Sequence, residues 1–242
     1  MRKRILEQPI DVITKSEAVY RVEAALNNSR KLKIVTLNPE MVIEANKNFE
    51  FQSAINNANL IVADGTGILW ALKLKGISNT ERIPGIELAE TILELANTKK
   101  NKVAVFGSKK ETLEKCIQKL VEKFPNINFV KTIDGYMGKE NDSNVAEQIA
   151  NKQPDIVFVA LGSPRQEIWI NKNEHLFPKS ILIGIGGSLD VWSGKKMRAP
   201  KWLRERNLEW LFRLLTEPKR TTRILRTLPL FVWMALKNKF CT

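Results

Sequence analysis

Short apolar runs alternate with longer amphipathic stretches along most of this chain, and few folds accommodate such a pattern. The apolar runs are rich in β-branched residues, as buried strands are, and span residues 33–37, 60–63, 103–107, 128–131, 155–161 and 181–184. Amphipathic stretches at 87–97, 109–123 and 143–151 repeat their apolar positions at helical spacing. The alternation predicts a Rossmann-like α/β fold, with a mostly parallel sheet and helices on both faces.

Polar and glycine-rich clusters follow most of the predicted strands, at the point where each strand ends. In parallel α/β sheets, ligands bind at the carboxyl ends of the strands, where loops and helix N-termini converge. The clusters therefore predict a binding crevice along one edge of the sheet. Its candidate lining residues are Thr36, Asn38, Asp64, Gly107, Gly162, Arg165, Gln166, Gly186 and Asp190.

Asp64 directly follows the second predicted strand and precedes Gly65 and Gly67. Glycines allow a ligand to approach the backbone closely, so an exposed carboxylate at this place can act as a general base. Asp-Gly is also a common turn pair. A turn or helix-cap role for Asp64 therefore stays open.

Thr36 and Asn38 lie just before Pro39, a residue that suits the first position of a helix. Asn38 then fits the N-cap of that helix. Both side chains can equally line the crevice beside Asp64, and the two roles do not exclude each other.

Gln166 fits the third position of a capping box that begins at Ser163, with Pro164 at the first helical position. Ser108 and Glu111 have the same spacing and predict a second capping box. From these residues alone, the structural interpretation of Gln166 is the better one.

Arg165 and the glycine loop at 184–190 carry weaker signals. An exposed helical arginine such as Arg165 needs no functional explanation. The loop has small residues that suit close approach by a diphosphate, but it lacks the third glycine of the dinucleotide fingerprint. A tight turn before Asp190 explains the loop equally well.

Several catalytic and cofactor signatures are missing from the sequence. It contains no P-loop motif and no D-x-D pair, so neither a P-loop NTPase nor a carboxylate clamp for a divalent ion is indicated. With His175 as the only histidine and two cysteines, Cys116 and Cys241, a His-bearing triad, a metal cluster and a disulfide framework are all disfavoured. We expect no metal and no cofactor, and a reducing cytoplasm fits the cysteine content.

Basic charge is concentrated near the C-terminus. The net charge is +13, and residues 195–242 contribute +10 of it, with thirteen basic and three acidic residues. Such an excess favours a polyanionic partner, either nucleotide phosphates, nucleic acid or an anionic membrane surface. The aromatic, arginine-rich texture after residue 198 predicts an α/β core at 1–198 and a helical appendage at 199–242, which Pro218 and Pro229 divide into segments.

The predicted appendage has one apolar and one basic helical face. Its longest apolar run, at 228–236, is too short to span a bilayer, and the N-terminus shows no signal-peptide core. The segment can therefore lie on a membrane without crossing it. The apolar face comprises Trp202, Leu203, Trp210, Leu211, Leu214 and Leu215, and the basic face Arg213, Arg220, Arg223 and Arg226.

Taken in order, these clusters resemble the WecG/TagA/CpsF family of bacterial glycosyltransferases over essentially the whole chain. Eight motifs carry the resemblance: T-x-N-x-E at 36–40, A-D-G-x-G at 63–67, R-I-P-G at 82–85, G-Y at 135–136, A-L-G-x-P-x-Q-E at 160–167, G-I-G-G-S-x-D at 184–190, G-K-x-x-R-A-P at 194–200 and L-E-W-L-x-R-L-x-x-E-P-x-R at 208–220. Each motif is weak by itself, whereas eight in the same order are a strong signal.

The resemblance implies transfer of a ManNAc-type sugar from a UDP-sugar to a polyprenyl-diphosphate-linked GlcNAc, with inversion and without a metal. Such a reaction belongs to cell-surface polysaccharide or wall-polymer synthesis. Asp64 matches the family's base, which takes the proton of the acceptor hydroxyl. Thr36, Asn38 and Gln166 match positions that shape the sugar and acceptor pocket.

The resemblance also implies a donor side and a membrane surface. Tyr136 and Asp190 match the nucleotide side, and Arg82 belongs to a matching motif. A basic, aromatic appendage would hold a cytoplasmic enzyme at the inner face of the membrane, and the family suggests self-association. The appendage arginines that match a diphosphate-neutralising group are Arg213, Arg220 and Arg223.

Two other classes of function are weighed against this one. A nucleic-acid-binding module would explain the basic C-terminal stretch with its tryptophans, but no recognised nucleic-acid motif is present. A nucleotide-dependent dehydrogenase would explain the glycine loop, but no convincing acidic ribose-binding residue follows it. The exact sugar and the polymer pathway are not fixed by these residues.

Overall fold

The structure, a computed structural model, describes residues 1–136, 142–206, 208–216 and 218–240, without the side chains of residues 213, 218–220, 223, 239 and 240. The strands are β1 (Arg2–Ile5), β2 (Gln8–Asp11), β3 (Leu32–Leu37), β4 (Leu60–Ala63), β5 (Lys102–Gly107), β6 (Asn128–Ile133), β7 (Ile156–Ala160) and β8 (Ile181–Gly184). The helices are α1 (Lys15–Asn27), α2 (Pro39–Ala45), α3 (Phe49–Asn56), α4 (Thr66–Leu74), α5 (Gly85–Lys99), α6 (Lys110–Lys123), α7 (Asp142–Ala150), α8 (Arg165–Asn173), α9 (Ser188–Trp192), α10 (Lys201–Glu205), α11 (Glu209–Thr216) and α12 (Pro218–Phe240).

Six strands form one sheet in the order β4-β3-β8-β7-β5-β6, and every neighbouring pair is parallel. The predicted Rossmann-like α/β fold is therefore confirmed, and so are all six predicted strands. After β3 the chain moves outward to β4, and after β5 it moves outward to β6 on the other side. The loops that follow β3 and β5 thus border a crevice above β8 and β7, at a topological switch point.

Residues along the central strands alternate between two buried faces. Ile34 and Val62 pack with α1, α5, α6 and α9 on one face. Val35 and Ile61 pack with α2, α3, α4 and α12 on the other, where α7 and α8 cover the far half of the sheet. Because both faces are covered, the strands appear in the sequence as continuous apolar runs.

The predicted helices at 87–97, 109–123 and 143–151 are confirmed as α5, α6 and α7, but the predicted cap of α6 is wrong. Lys109 is the N-cap residue, and no side chain caps this helix. Ser108 has a positive φ of 62°, and its backbone N–H donates to Ala160 O at 3.1 Å. This contact with the end of β7 sets the backbone at Ser108, so the capping geometry is not adopted.

An N-terminal hairpin, which no sequence pattern predicted, precedes α1. β1 and β2 pair antiparallel, and Arg2 makes a two-pronged ion pair with Asp11 at 3.0 and 2.9 Å. Asp11 is buried and also accepts a hydrogen bond from the Ile61 N–H at 2.9 Å. The Asp11 carboxylate therefore fixes the hairpin against the edge strand β4. No local sequence pattern predicts this contact, because its partners are distant in the chain.

The C-terminal segment is less divided than predicted. Pro218 begins α12 as expected of a proline, but the helix continues through Pro229, so the predicted break at Pro229 is wrong. Pro229 is exposed, whereas Phe231 is fully buried and Ile224 nearly so. Packing of Phe231 and Ala235 with α2 and α4 holds the helix across the proline.

The predicted apolar face at 202–215 is only half covered. Trp202, Trp210 and Leu215 are exposed, and Leu203 is half-buried. Exposed apolar side chains continue along α12, at Leu225, Trp233 and Leu236. Across the described parts of the chain, no helix combines the length and the apolar character that a membrane crossing requires.

Candidate active site

Thr36 and Asp64 meet at the carboxyl ends of the adjacent strands β3 and β4. The Asp64 N–H donates to Leu37 O at 2.8 Å, and the Gly85 N–H donates to Asp64 Oδ2 at 3.1 Å. A Cβ on Gly85 would lie 2.9 Å from Thr36 Oγ1. The structure thus brings Thr36 close to the group that orients Asp64.

Gly85 is the first residue of α5, so Asp64 lies at the positive end of a helix dipole. Asp64 does not cap the helix that follows it, because Gly65 is the N-cap residue of α4 and no side chain caps that helix. Its carboxylate instead accepts from the first N–H of α5, a helix that lies further along the chain. The contact also aims the carboxylate at a fixed place at the edge of the crevice. Its role as a base stays a prediction.

Asn38 caps α2, because its Oδ1 accepts a hydrogen bond from the Met41 N–H at 3.0 Å. Pro39 follows as the first helical residue, as predicted. The Pro39 ring also packs against the turn after Asp64, since a Cβ on Gly67 would lie 2.7 Å from Pro39 Cγ. The cap of α2 and the Asp64 turn therefore form one packed unit.

Arg82 lies in the segment between α4 and α5. The neighbouring Ile83 N–H donates to Ala63 O at 2.7 Å, which places this segment beside the end of β4. The half-buried Arg82 lines a groove with Glu87 and Arg198. Its predicted contact with substrate is untested, but it lies on the same side of the sheet as Asp64.

The predicted capping box at Ser163 and Gln166 is wrong. Pro164 is the N-cap residue of α8, and no side chain caps this helix. Gln166 is buried, and its Oε1 accepts a hydrogen bond from the Gly186 N–H at 3.0 Å. The longer-range bond to the loop after β8 occupies the side chain that the capping box would have required.

The glycines along the crevice differ in what they do. Gly107 has a φ of 129°, and a Cβ there would overlap the backbone of Ala160, so its need for glycine is explained by packing between β5 and β7. Gly162 and Gly186 have φ values of 78° and 48°. A Cβ at either would meet open space, and the two glycines lie in the loops that follow β7 and β8 at the carboxyl ends of the sheet.

The Arg165 side chain makes hydrogen bonds to other groups of the protein. Its guanidinium donates to Asp142 Oδ1 at 2.9 Å and to Gly135 O at 3.3 Å, which ties the end of β6 to α7 and α8. A role of Arg165 in substrate binding stays a prediction.

The two residues predicted on the nucleotide side lie apart. Tyr136 follows β6, and 71% of its surface is exposed, with Lys109 Nζ 5.9 Å from the ring centroid. Asp190 lies in α9 after β8 and pairs with Lys196 at 3.4 Å. Three strand spacings separate β8 from β6, about 14 Å, so a ligand that touches both must extend along the crevice.

Three predicted residues fall outside what the structure describes. The side chains of Arg213 in α11 and of Arg220 and Arg223 in α12 are not part of the described set. Their predicted contacts with a diphosphate stay predictions.

An ion-pair cluster that was not predicted from the sequence lies in the same groove as Arg82. Arg198 donates to Glu87 at 2.6 Å and lies 3.8 Å from Glu90 and 3.9 Å from Glu209, while Arg204 approaches Glu87 at 4.0 Å. Burial would raise the pKa of Glu87, but the Arg198 hydrogen bond and charge, with Lys15, hold that pKa below its usual range. Arg198 lies inside the motif at 194–200, which was the available signal.

Glu167 was also missed, although it ends the motif at 160–167. It is buried, and burial raises its pKa above the usual range although a hydrogen bond from Gln166 acts the other way. Gln166 Nε2 donates to Glu167 Oε1 at 2.7 Å. A buried acid that touches a crevice residue is a functional signal that only burial could reveal.

Among the described residues, no group of three or more His, Cys, Asp or Glu side chains is placed to hold a metal ion. Cys116 is buried in α6, and burial raises the pKa of its thiol to about 12, as suits an unreactive thiol. Independence of a metal stays a prediction.

A parallel α/β sheet whose carboxyl edge presents an oriented carboxylate and open glycine loops is typical of α/β proteins that bind a ligand at a topological switch point. Sequence comparison narrows this class, since the profile of the glycosyl transferase WecG/TagA/CpsF family matches residues 3–242. The chain belongs to this glycosyl transferase family.

Three relatives share one description, N-acetylglucosaminyldiphosphoundecaprenol N-acetyl-beta-D-mannosaminyltransferase. The Bacillus spizizenii protein is 39% identical over 214 residues, which is 88% of this chain and 82% of the relative. The Bacillus subtilis strain 168 protein is 38% identical over 85% of this chain and 79% of its own. The Staphylococcus aureus protein is 37% identical over 97% and 92%. Neither the nucleic-acid alternative nor the oxidoreductase alternative finds support in these comparisons.

Proposed function

We propose that this chain transfers N-acetylmannosamine from UDP-N-acetylmannosamine to the GlcNAc of a polyprenyl-diphosphate-linked acceptor, with inversion at the anomeric carbon. The observation that carries this proposal is the shared description of relatives that align with 85–97% of the chain. The orientation of Asp64 by the Gly85 N–H supports it, because this reaction needs a fixed proton acceptor.

In the proposed reaction, Asp64 takes the proton from the attacking hydroxyl of the acceptor. The hydroxyl oxygen forms a bond to the anomeric carbon on the face opposite UDP. The bond from that carbon to the UDP oxygen breaks, and UDP leaves with the electron pair. Thr36 and Gln166 would position the sugar beside Asp64.

The leaving diphosphate gains negative charge as that bond breaks, so groups that neutralise it accelerate the step. Backbone N–H groups of the loops at Gly162 and Gly186, other than the Gly186 N–H that donates to Gln166, suit this role, because a diphosphate can approach an uncovered backbone closely. Arg213, Arg220 and Arg223 would complete the neutralisation from the C-terminal helices. With these groups, no metal ion would be needed.

The test is release of UDP from UDP-N-acetylmannosamine in the presence of a prenyl-diphosphate-GlcNAc acceptor and a chelator. Asp64→Asn should lower turnover by about 10²–10⁴-fold with little loss of stability, because the amide oxygen can still accept the Gly85 N–H. Asp155→Asn is the matched control. Asp155 accepts from the Lys102 N–H at 2.8 Å at the opposite edge of the sheet, and this variant should keep its turnover.

Acceptor-dependent release that persists in chelator and collapses only in Asp64→Asn is the expected result. Equal turnover in wild type and Asp64→Asn would remove Asp64 from the role of base. No release in any of the proteins would reject N-acetylmannosamine as the transferred sugar.

We also propose that the enzyme acts at the inner face of the cell membrane and binds it peripherally. The net charge of +10 over residues 195–242 and the exposed Trp202, Trp210, Leu225 and Trp233 support this. Apolar burial and attraction to anionic headgroups act together at such a surface. An enzyme held there would meet an acceptor that is confined to the bilayer.

We propose that residues 1–198 form the catalytic core and that residues 199–242 form an appendage with a separate role. Residues 199–242 would face the membrane and the diphosphate, although Phe231 packs in the apolar cluster with α2 and α4. Self-association is likewise proposed, and a molar-mass measurement with and without lipid would test it.

A further inference from the structure

Glu167 is a buried carboxyl group that the proposed reaction does not use. Only 5% of its surface is exposed, and no group among the described residues meets hydrogen-bond geometry at its Oε2, although the Ser163 hydroxyl lies close enough to act against the rise of its pKa. A buried polar atom without a partner costs stability. Folding alone therefore gives little reason for an acid at this position.

Glu167 is joined to the loop after β8 through one side chain. Gln166 Nε2 donates to Glu167 Oε1 at 2.7 Å, and Gln166 Oε1 accepts from the Gly186 N–H at 3.0 Å. The Gln166 amide also lies directly against Gly184, where a Cβ would overlap its nitrogen. The amide is thus held between an acceptor on one side and a backbone donor on the other.

The orientation of this amide matters because its two ends are chemically opposite. With Glu167 accepting from the Gln166 nitrogen, the Gln166 oxygen must face Gly186. Without an acceptor at residue 167, the amide can turn and present its N–H groups to the Gly186 N–H. The bond to the loop would then be lost.

Hydrogen bonds fix the loop on either side of its two glycines, because the Ile185 N–H donates to Val159 O at 2.8 Å and the Ser188 N–H and hydroxyl donate to Ile185 O at 3.0 and 2.7 Å. Gly186 and Gly187 are consecutive glycines, and a Cβ at either would meet open space. Glycine has more backbone freedom to lose on ordering than any other residue. Between these fixed residues, the hydrogen bond from the Gly186 N–H to Gln166 Oε1 restricts the backbone of the two glycines.

We propose that Glu167 is a positioning residue that fixes the Gln166 amide and, through it, holds the 184–187 loop in the shape that receives the donor diphosphate. The inference rests on the proposed function for the identity of the ligand. The contact between Glu167, Gln166 and Gly186 does not depend on it.

Three variants distinguish a positioning role of Glu167 from a contribution to stability alone. Glu167→Met removes the acceptor at similar volume, and Glu167→Gln keeps an acceptor oxygen on an isostere of the protonated acid. Asn173→Leu is the matched control, because Asn173 is a buried polar residue of the same helix that donates to Trp169 O at 2.8 Å, away from the loop.

The measurements are UDP affinity by calorimetry and hydrogen exchange of the Gly186 amide. Glu167→Met should weaken UDP binding roughly tenfold and accelerate the exchange of Gly186, as loss of one hydrogen bond predicts. Glu167→Gln should resemble the wild type in both measurements. Asn173→Leu should lower stability and leave both unchanged.

Wild-type affinity and exchange in Glu167→Met would overturn the inference, and so would an equal change in Asn173→Leu. A folded Glu167→Gln that loses UDP affinity would also overturn it, because the acceptor oxygen is kept in that variant. Failure of the wild type to bind UDP would instead count against the proposed function, while the exchange of Gly186 would still test the Glu167 contact.

Discussion

Gly162 and Gly76 have nearly the same backbone conformation at very different places in the molecule. Their φ values are 78° and 74°, and a Cβ at either would meet no atom within 4 Å. Alanine at either position thus introduces the same backbone strain and no clash. Only Gly162 borders the crevice, so the pair separates strain from ligand contact.

We expect Gly162→Ala and Gly76→Ala each to lose about 1 kcal/mol of unfolding free energy, because a left-handed backbone disfavours a Cβ. Only Gly162→Ala should also raise the KM for the UDP-sugar, since its new methyl group projects into the crevice. Denaturant titration and donor kinetics measure the two effects. A donor KM that is the same in both variants would place Gly162 outside the donor site.

At the scale of elements, the Arg198 cluster joins α5 to α11. Arg198 and Glu209 are both largely buried, with 14% and 8% of their side chains exposed. Glu87 lies in the first turn of α5, the helix whose first N–H orients Asp64. The cluster therefore links the C-terminal helices to the helix that holds the candidate base.

Arg198→Gln should lower the unfolding free energy by about 2 kcal/mol, because it removes a cation that the buried Glu209 shares with the half-buried Glu87 and Glu90, while Lys15 and Arg204 stay near Glu87. Lys172→Gln is the control, since Lys172 and Glu50 form an exposed pair at 3.2 Å. That variant should lose less than about 1 kcal/mol. Similar losses in the two variants, measured in urea, would show that the Arg198 cluster acts as an ordinary surface pair.

The lowered pKa of Glu87 gives the cluster a pH dependence of definite sign. A carboxyl group whose pKa is lower in the folded state stabilises the fold above its unfolded pKa, and that contribution is lost as the pH falls through the folded value. The usual value for Glu87 is 4.5, so the loss should begin near that pH.

Glu87→Gln should be less stable than the wild type at pH 7, and the difference should shrink as the pH falls toward about 3. Unfolding free energies measured at several pH values would show this convergence. Parallel curves for the two proteins would mean that the charge of Glu87 contributes nothing to stability.

At the scale of the whole molecule, α12 has buried side chains that pack on the core and apolar side chains that are exposed to solvent. Phe231 is fully buried, while Leu225 and Trp233 on the same helix are 61% and 58% exposed. Lys237 Nζ lies 5.3 Å from the centroid of the Trp233 ring, so cationic and aromatic groups occur together. Such an arrangement suits a helix that rests on the protein with one side and on a membrane with another.

The double variant Leu225→Ser, Trp233→Ser should reduce binding to vesicles that contain phosphatidylglycerol by at least about tenfold, because two exposed apolar side chains are lost. Tyr20→Ser is the control, since Tyr20 is 72% exposed on α1 and lies outside the C-terminal segment. Unfolding temperatures should change little in either. Equal vesicle binding by the double variant and the Tyr20 variant in co-sedimentation would reject α12 as the membrane surface.

Deleting the C-terminal segment is a poor test of the same idea. The side chains of Met41 and Ile68 belong to the apolar cluster that contains Phe231. Removing α12 would expose that cluster to water and favour aggregation. Point substitutions at exposed positions leave this packing intact.

The sequence by itself determined the six strands of the parallel sheet, several of the helices around them and the polar residues that follow strand ends. These features are local, because a buried strand between two helical layers appears as a continuous apolar run, and polar residues mark where it ends. The family motifs are likewise contiguous in the chain. Asn38 as the cap of α2 belongs to this group, since cap and helix are neighbours.

Only the tertiary structure decided which polar groups bond to which. The Gly85 N–H donates to Asp64, the Gly186 N–H donates to Gln166, and Arg198 forms ion pairs with carboxylates of two helices. Each of these contacts joins residues that are far apart in the chain. The bond between Gly186 and Gln166 explains why the capping box at Gln166 failed, and the packing of Phe231 and Ala235 with α2 and α4 explains why α12 continues through Pro229. A local pattern states what a side chain can bond to, whereas packing decides which partner comes within reach.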